Sequence, residues 1–146
     1  ERSWKSLSRS QWADLRQSEL SMVFQGLRLL PQLNGWENLA LKSRLPVQVT
    51  QERIQEMIQF LGIDALMQKR CEHWSYGQRQ RLAIIRALVQ PFHWLLLDEP
   101  FSHLDRENIQ LVSQLINEEC QSRGAGMIVA SLGDDYALPL HDQISL

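Results

Sequence analysis

Residues 94–100 read Trp-Leu-Leu-Leu-Asp-Glu-Pro, so that four apolar residues are followed directly by two acidic residues and a proline. A continuous apolar run of this length is typical of a strand that is buried on both faces of a parallel sheet. In such sheets ligands usually bind beyond the carboxyl ends of the strands. Asp98 and Glu99 are therefore predicted to lie at the ligand-binding edge of an α/β fold.

Helices and further apolar runs alternate around this strand. Upstream, a helix is predicted from about Gly77 to Gln90, where Pro91 ends it. Downstream, Asp105 is predicted to cap another helix, and the apolar run 127–130 follows it. The order strand, helix, strand predicts a parallel sheet with flanking helices.

The first part of the chain gives a weaker pattern. Residues 4–20 show no period of two or 3.6, so no element is predicted there. Residues 21–24 are short and apolar, and the break at Gln25 predicts a buried strand that ends in a loop. Pro31 and Gly35 are expected to prolong that loop.

The clearest amphipathic helix of the sequence is predicted after this loop. Thr50 can cap its start, and Gly62 suits its end. Its apolar residues recur at the spacing of a helix face, namely Ile54, Met57, Ile58 and Leu61.

Composition and charge limit the classes of protein that fit. The chain has 146 residues, of which 44% are hydrophobic and 22% charged, which suits one globular domain with a core. A net charge of -2 gives no electrostatic reason to expect nucleic acid as the main partner. Cys71 and Cys120 lack metal-ligand spacing and favour a reducing compartment. No apolar stretch approaches 18 residues, so another subunit must cross any membrane involved.

The acidic pair suits nucleotide chemistry. Asp98 can hold Mg²⁺, usually through water, while Glu99 polarises an attacking water. An acidic pair after a strand can equally cap the next element, so the pair alone does not decide between the two interpretations.

A second segment suits an anion. Ser75, Gly77 and Gln78 form a glycine-containing turn at the predicted start of a helix. A hydroxyl, unpaired N–H groups and the helix dipole together favour a phosphate there. Ser75 is also expected to cap the helix, and this does not exclude phosphate binding.

The order and spacing of these segments resemble the ABC ATPase family. Residues 74–83 precede residues 95–101, and the segment Ser-His-Leu-Asp follows at 102–105. In that family a Leu-Ser-Gly-Gly-Gln signature runs into a helix and precedes the Walker B strand and a D-loop of the Ser-Ala-Leu-Asp type. The combined match is highly specific.

The resemblance extends over nearly the whole chain. Residues 22–25, 30–33 and 36–39 resemble the family's Q-loop and the start of its helical subdomain, and Gln25 precedes Ser75 by 50 residues. Residues 141–146 resemble a strand of the C-terminal core.

The resemblance implies a fold of class α/β, with a partial P-loop NTPase core and the α-helical subdomain of ABC proteins. Residues 1–25 would end the first part of the core and include the Q-loop glutamine. Residues 26–90 would form the helical subdomain with the signature. Residues 91–146 would hold Walker B, the D-loop and the C-terminal core strands.

The resemblance also implies cofactors and site residues. ATP and Mg²⁺ would be the cofactors, with Glu99 as the catalytic residue and Asp98 and Gln25 at the metal. The signature would meet ATP held by an opposite subunit. The residues that contact ATP or its phosphates would be Gln25, Ser75, Gly77, Gln78 and Asp105.

The implied partners are a transmembrane permease subunit and a second ABC ATPase subunit in a head-to-tail dimer, without nucleic acid. The loop after Gln25 would touch the permease, and Asp105 would lie at the dimer seam. The implied location is cytoplasmic and peripheral, on the inner face of the cell membrane.

The chain departs from the family pattern at three places. No glycine begins the phosphate loop G-x-x-x-x-G-K-[ST], and only 24 residues precede Gln25, so the chain is expected to begin after that loop. Leu132 stands where a histidine normally contacts the γ-phosphate. Trp74 and Tyr76 replace a leucine and a glycine, and the Cβ of Tyr76 is expected to limit backbone freedom and close approach to phosphate.

Alternative functions remain open. The first is a truncated or degenerate ATP-binding subunit of a transporter that is inactive alone. Phe101 slightly favours a transporter of the uptake type. The second is a catalytically silent module that dimerises with an intact ATPase. A non-transport ABC ATPase of DNA repair or translation is disfavoured, because the chain has no coiled-coil insertion or tandem domain. A core without its first strand and phosphate-loop helix is expected to expose apolar surface.

Overall fold

A computed structural model describes residues 7–42, 49–131 and 138–139. In chain order the elements are α1 (Arg9–Ser18), β1 (Leu20–Val23), α2 (Gly35–Ala40), α3 (Gln51–Phe60), α4 (Tyr76–Leu88), β2 (Trp94–Asp98), α5 (Arg106–Arg123) and β3 (Gly126–Ala130). Two single-turn 3₁₀ helices, Asp64–Leu66 and Cys71–His73, join α3 to α4. Leu132 and residues 141–146, on which two of the sequence-based expectations fall, lie outside the described residues.

The three strands form one parallel sheet in the order β1-β2-β3. Leu20 pairs with Trp94, and Trp94 pairs with Gly126, so the strands begin level with one another. Their carboxyl ends therefore meet at one edge of the sheet. The predicted α/β class, with a parallel sheet and flanking helices, is confirmed.

Helix α4 packs against one face of the sheet. The hydroxyl of Ser21 donates to the carbonyl of Ala87 at 2.7 Å, which fixes β1 against the last turn of α4. Most of the circumference of α4 is buried, and full burial of each large aliphatic side chain contributes about 1.5–3 kcal/mol. The buried apolar residues of α4 are Leu82, Ala83, Ile84, Ile85, Ala87 and Leu88.

The prediction that β2 is buried on both faces is wrong for the described residues. Leu95 and Leu97 are buried, but Trp94 keeps 49% of its surface exposed. The helices cause this difference, because the buried side chains of α4 and α5 belong to one core cluster with Leu95 and Leu97. On the opposite face Met22, Leu96 and Ile128 lie side by side in register, and Ile128 is 55% exposed.

The predicted start and end of α3 are confirmed, and α5 ends in the same way as α3. The hydroxyl of Thr50 accepts from the N–H of Arg53 at 3.2 Å, and Gly62 follows α3 with φ of 62°. At the end of α5, Gly124 has φ of 61°. Both glycines occupy the left-handed conformation that stops a helix.

The prediction that Gly35 prolongs a loop is wrong, because Gly35 is the first residue of α2. The side chain of Asn34 accepts from the N–H of Glu37 at 2.9 Å, and Glu37 Oε2 accepts from the N–H of Asn34 at 2.7 Å. This capping box starts a helix of only six residues, which is too short to show a period.

A buried carboxylate joins the helical segment to the core. Glu119 on α5 is 5% exposed and accepts from Arg53 at 2.9 Å and from Arg123 at 2.7 Å. The buried charge of Glu119 is therefore paired with two arginines and hydrogen-bonded to both, as a buried carboxylate requires. This cluster fixes α3 against α5.

The two cysteines are free and buried. Burial raises the pKa of Cys120 to about 11, so this thiol stays protonated at neutral pH. Among the described helices none has both the length and the apolar character needed to cross a membrane.

Candidate functional site

The turn before α4 is closed by a capping box. The N–H of Gln78 donates to Ser75 Oγ at 3.2 Å, and the N–H of Ser75 donates to Gln78 Oε1 at 2.9 Å. Ser75 thus caps the helix as expected. Helix geometry leaves the N–H groups of Tyr76 and Gly77 without intrahelical acceptors. This end of α4 therefore offers donors to an anion.

Gly77 is required by a close backbone approach. A Cβ added at this position would lie 2.9 Å from the carbonyl oxygen of His103 and 3.4 Å from the side chain of Leu104. The absence of a side chain at Gly77 lets the loop after β2 pack against the start of α4. The turn 75–78 and the segment 102–105 are therefore neighbours.

Tyr76 connects this turn to the loop after β1. Its hydroxyl donates to the carbonyl of Gln25 at 2.7 Å, and its ring centroid lies 4.0 Å from that of His103. Tyr76 is the first residue of α4 and has a negative φ. This conformation suits any residue, so the Cβ of Tyr76 causes no backbone strain here. Its effect on phosphate approach stays a prediction.

The loop after Gln25 is held in an unusual conformation by α4. Leu27 and Arg28 have φ of 55° and 52°, and this left-handed conformation costs a residue with a Cβ roughly 1–2 kcal/mol. Arg86 offsets part of that cost by donating to the carbonyls of Leu27 and Arg28, each at 2.7 Å. Burial lowers the pKa of Arg86. The side chain of Gln25 itself is exposed.

The acidic pair lies at the carboxyl edge of the sheet, as predicted. Asp98 ends β2 and pairs with Ala130 on β3. Glu99 follows with φ of 47°, and its N–H donates to the carbonyl of Ala130 at 2.9 Å. Ser131 Oγ donates to Glu99 Oε2 at 3.4 Å. Both acids are half-buried, and the backbone of Glu99 is fixed to the neighbouring strand.

Asp105 caps α5. Asp105 Oδ1 accepts from the backbone N–H of Asn108 at 2.9 Å, and its carboxylate also accepts from the Asn108 side chain. These hydrogen bonds hold the pKa of Asp105 below its usual value. Arg81 donates to the carbonyl of Leu61 at 2.7 Å and to Asn108 Oδ1 at 2.9 Å, and so ties the end of α3 to the start of α5.

The candidate site residues surround the first half of α4, although their side chains do not all meet. Tyr76 joins α4 to Gln25, and Gly77 joins it to His103. Sequence reasoning missed Gln80, which is buried and donates to the carbonyl of Glu99 at 3.2 Å. It also missed the contacts made by Arg86. The sequence offered one signal for Gln80, namely a polar residue among the otherwise apolar buried positions of α4.

A metal ion would need ligands from outside the protein. Within residues 7–42, 49–131 and 138–139, no group of three or more His, Cys, Asp or Glu side chains could hold one. Mg²⁺ commonly takes one or two carboxylates and completes its coordination with phosphates and water. Asp98 therefore fits Mg²⁺ whose remaining ligands are phosphates and water.

Known proteins resemble this chain along most of its length. A family model described as ABC transporter matches residues 2–102. The lipoprotein-releasing system ATP-binding protein LolD of Buchnera aphidicola is 33% identical over 129 residues, which are 86% of this chain and 56% of that protein. The thiamine import ATP-binding protein ThiQ of Aliivibrio fischeri is 39% identical over 132 residues, again 86% and 56%.

Solved structures share the fold. The bacterial ABC transporter cassette MJ0796, solved as a dimer, aligns with a TM-score of 0.72 at 24% identity and covers 86% of this chain and 58% of its own. Structure cbiO1 from Clostridium perfringens, described as part of the ABC transporter complex cbiONQ, aligns with a TM-score of 0.69 at 26% identity, covering 89% and 53%.

The chain spans 56% of the length of both LolD and ThiQ. The family model covers more than half of the chain, including the loop after β1, the turn that caps α4, and Asp98 and Glu99. The chain therefore belongs to the ABC transporter family.

Proposed function

We propose that this chain is part of the ATP-binding subunit of an ABC transporter and presents a phosphate-binding turn and an acidic sheet edge to ATP and Mg²⁺. The observation that carries the proposal is the junction at the start of α4. Three segments meet there, namely the loop at 25–28, the turn at 75–78 and the loop at 99–105. Family members use the corresponding segments for nucleotide.

The donor groups at the turn fit a phosphate. Ser75 Oγ accepts from Gln78, so its own proton is available for a phosphate oxygen. Gln78 uses its Oε1 in the capping box, which leaves its NH₂ group as a donor. With the N–H groups of Tyr76 and Gly77, these groups would bind the γ-phosphate at the positive end of the helix dipole.

The acids suit complementary roles. Asp98 and the side-chain oxygen of Gln25 would hold Mg²⁺, which neutralises phosphate charge when bound. Glu99 would orient the attacking water and accept its proton. Asp105 would lie where a second ATPase subunit meets this chain.

The proposed organisation follows the family. Residues 1–25 and 91–146 would belong to the nucleotide-binding core, and residues 26–90 to the helical subdomain. The partners would be a second ABC ATPase subunit and a transmembrane permease, at the cytoplasmic face of the cell membrane. The names of LolD and ThiQ describe a lipoprotein-releasing system and thiamine import, so they support a transporter without indicating its direction.

An NMR titration of the chain with Mg-ATP tests the phosphate turn. The backbone amides of Tyr76 and Gly77 should shift, and Ser75→Ala should weaken the response several-fold because it removes a donor. Ser18→Ala, on the exposed end of α1, serves as the matched control and should titrate like the wild type. Shifts confined to other parts of the chain would contradict the proposal.

A second candidate is a catalytically silent module, and the contact from Tyr76 to Gln25 favours it. A tyrosine here fills space at the turn where the family has glycine. Tyr76→Gly should then strengthen the response to Mg-ATP, whereas Tyr76→Phe, which keeps the ring but loses the hydrogen bond, should not. An unchanged response in Tyr76→Gly would remove the support for a silent module.

A further inference from the structure

We propose that Gln80 is a positioning residue for Glu99, because its buried amide holds the peptide that follows Glu99 and thereby fixes the Glu99 carboxylate at the edge of the sheet. This inference rests on the proposed function in one respect, since it takes Glu99 as the group that orients the attacking water. The geometry that supports it concerns this chain alone.

The amide of Gln80 is oriented by Glu99 and Pro100. Gln80 is 1% exposed, and its Nε2 donates to the carbonyl of Glu99 at 3.2 Å and to the carbonyl of Pro100. Gln80 Oε1 has no hydrogen-bond partner among the described residues. Only the NH₂ group of the side chain therefore forms hydrogen bonds. Burial of an amide with an unpaired oxygen costs free energy, so we expect the bonds from the NH₂ group to matter to the fold or to the site.

Glu99 requires such support because its backbone is strained. Its φ of 47° is one that residues with a Cβ rarely adopt. β3 holds the N–H of Glu99 through Ala130 at 2.9 Å, and α4 holds the carbonyl through Gln80. A relaxation of this peptide would rotate the Glu99 side chain away from Ser131, which donates to its carboxylate at 3.4 Å.

The same helix carries the phosphate-binding turn. Gln80 lies five residues after Ser75, so about one and a half turns of α4 separate the capping hydroxyl from the amide that holds Glu99. A rigid helix therefore connects the signature turn to the backbone of the proposed catalytic acid.

Amide hydrogen exchange, measured by NMR without nucleotide, tests the positioning role. In Gln80→Leu, which has a similar size and no donor, exchange at the N–H of Glu99 should accelerate roughly tenfold. The amides of α4 from Leu82 to Leu88 should keep their protection. Gln110→Leu, on the exposed surface of α5, is the matched control and should leave the exchange of Glu99 unchanged.

Gln80→Glu adds a pH profile that a merely structural residue would not produce. A protonated carboxyl keeps one donor for the two carbonyls, whereas an ionised carboxylate has none and repels them. Protection of the Glu99 amide should be near that of the wild type at acidic pH and fall as the introduced carboxyl ionises. This comparison is made within one protein, so it remains decisive if Gln80→Leu does not fold.

Two results would overturn the inference: unchanged exchange at Glu99 in both variants, or an equal loss of protection along the whole chain. The proposed function is tested independently, by the Mg-ATP titration of the wild type. If Gln80→Leu accelerates exchange at Glu99 while the wild type shows no response to Mg-ATP, the positioning role of Gln80 is supported and the nucleotide role is contradicted.

Discussion

At the scale of the residue, Gly77 makes the most constrained contact of the candidate site. Gly77→Ala should lower the free energy of unfolding by about 1–3 kcal/mol, because its Cβ would press on the backbone carbonyl of His103, which cannot rotate away. Urea denaturation measures the change. Gly26→Ala is the control, since nothing lies within 4 Å of a Cβ there, and it should stay within about 0.5 kcal/mol of the wild type. Equal effects of the two substitutions would contradict this account of Gly77.

Asp105 should make the stability of the chain depend on pH in the acidic range. Hydrogen bonds from Asn108 lower the pKa of Asp105 in the folded state, so the ionised form stabilises the fold. That contribution is fully present above the unfolded pKa of about 4 and is lost as the pH falls through the lower, folded pKa.

The comparison with Asp105→Asn isolates this contribution. Asparagine caps a helix without titrating in this range, so the difference in thermal midpoint between wild type and variant should be constant near neutral pH and change only on acidification. A difference that is flat down to the most acidic pH at which the wild type is folded would contradict the linkage.

Single residues were predictable where their partner is close in sequence. Ser75 and Asp105 each accept from the residue three positions ahead, so the cap is visible in the sequence. Gln80 contacts Glu99 and Arg86 contacts Leu27, contacts that exist only after the strands and α4 have packed. No local pattern encodes such a pair.

At the scale of the element, Arg86 fixes the loop after β1 to α4. Arg86→Met should destabilise the chain by about 1–3 kcal/mol, because two carbonyls lose their donors while the apolar stem is kept. Limited proteolysis should also cut more readily between Gln25 and Leu30. Arg9→Met, on exposed α1, is the control. Resistance to proteolysis equal to that of the wild type would show that the loop is held by other contacts.

Elements were predictable where one face is clearly apolar. Helix α3 met this condition, whereas α1 has no buried residue and α2 has only six residues. Strand β2 has an apolar residue at each of its first four positions, and its one-sided burial could not be predicted because it depends on which faces of the sheet are covered.

At the scale of the whole molecule, one face of the sheet is apolar and exposed as far as residues 7–42, 49–131 and 138–139 show it. Met22, Leu96 and Ile128 lie in a row there, and they line a depression of about 140 Å³ that reaches Asp98. The expectation that apolar surface is exposed is met at Met22 and Ile128, which are 37% and 55% exposed. Parallel sheets are usually covered on both faces, so this face favours self-association of the chain.

Ile128→Lys should weaken that self-association. Sedimentation velocity over a range of concentrations should show a larger monomer fraction than for the wild type. Leu41→Lys is the control because Leu41 is 51% exposed but follows α2 and belongs to no strand. If both lysine variants reduce association equally, net charge and not the sheet face is responsible.

The central claim is that the start of α4 and the acidic sheet edge belong to a site for Mg-ATP. Titration calorimetry should compare the binding of Mg-ATP by this chain with the binding by its Asp98→Ala variant. The account predicts weak but measurable binding by this chain and at least roughly tenfold weaker binding by Asp98→Ala. Equal binding by the two proteins, or no binding by this chain, would contradict it.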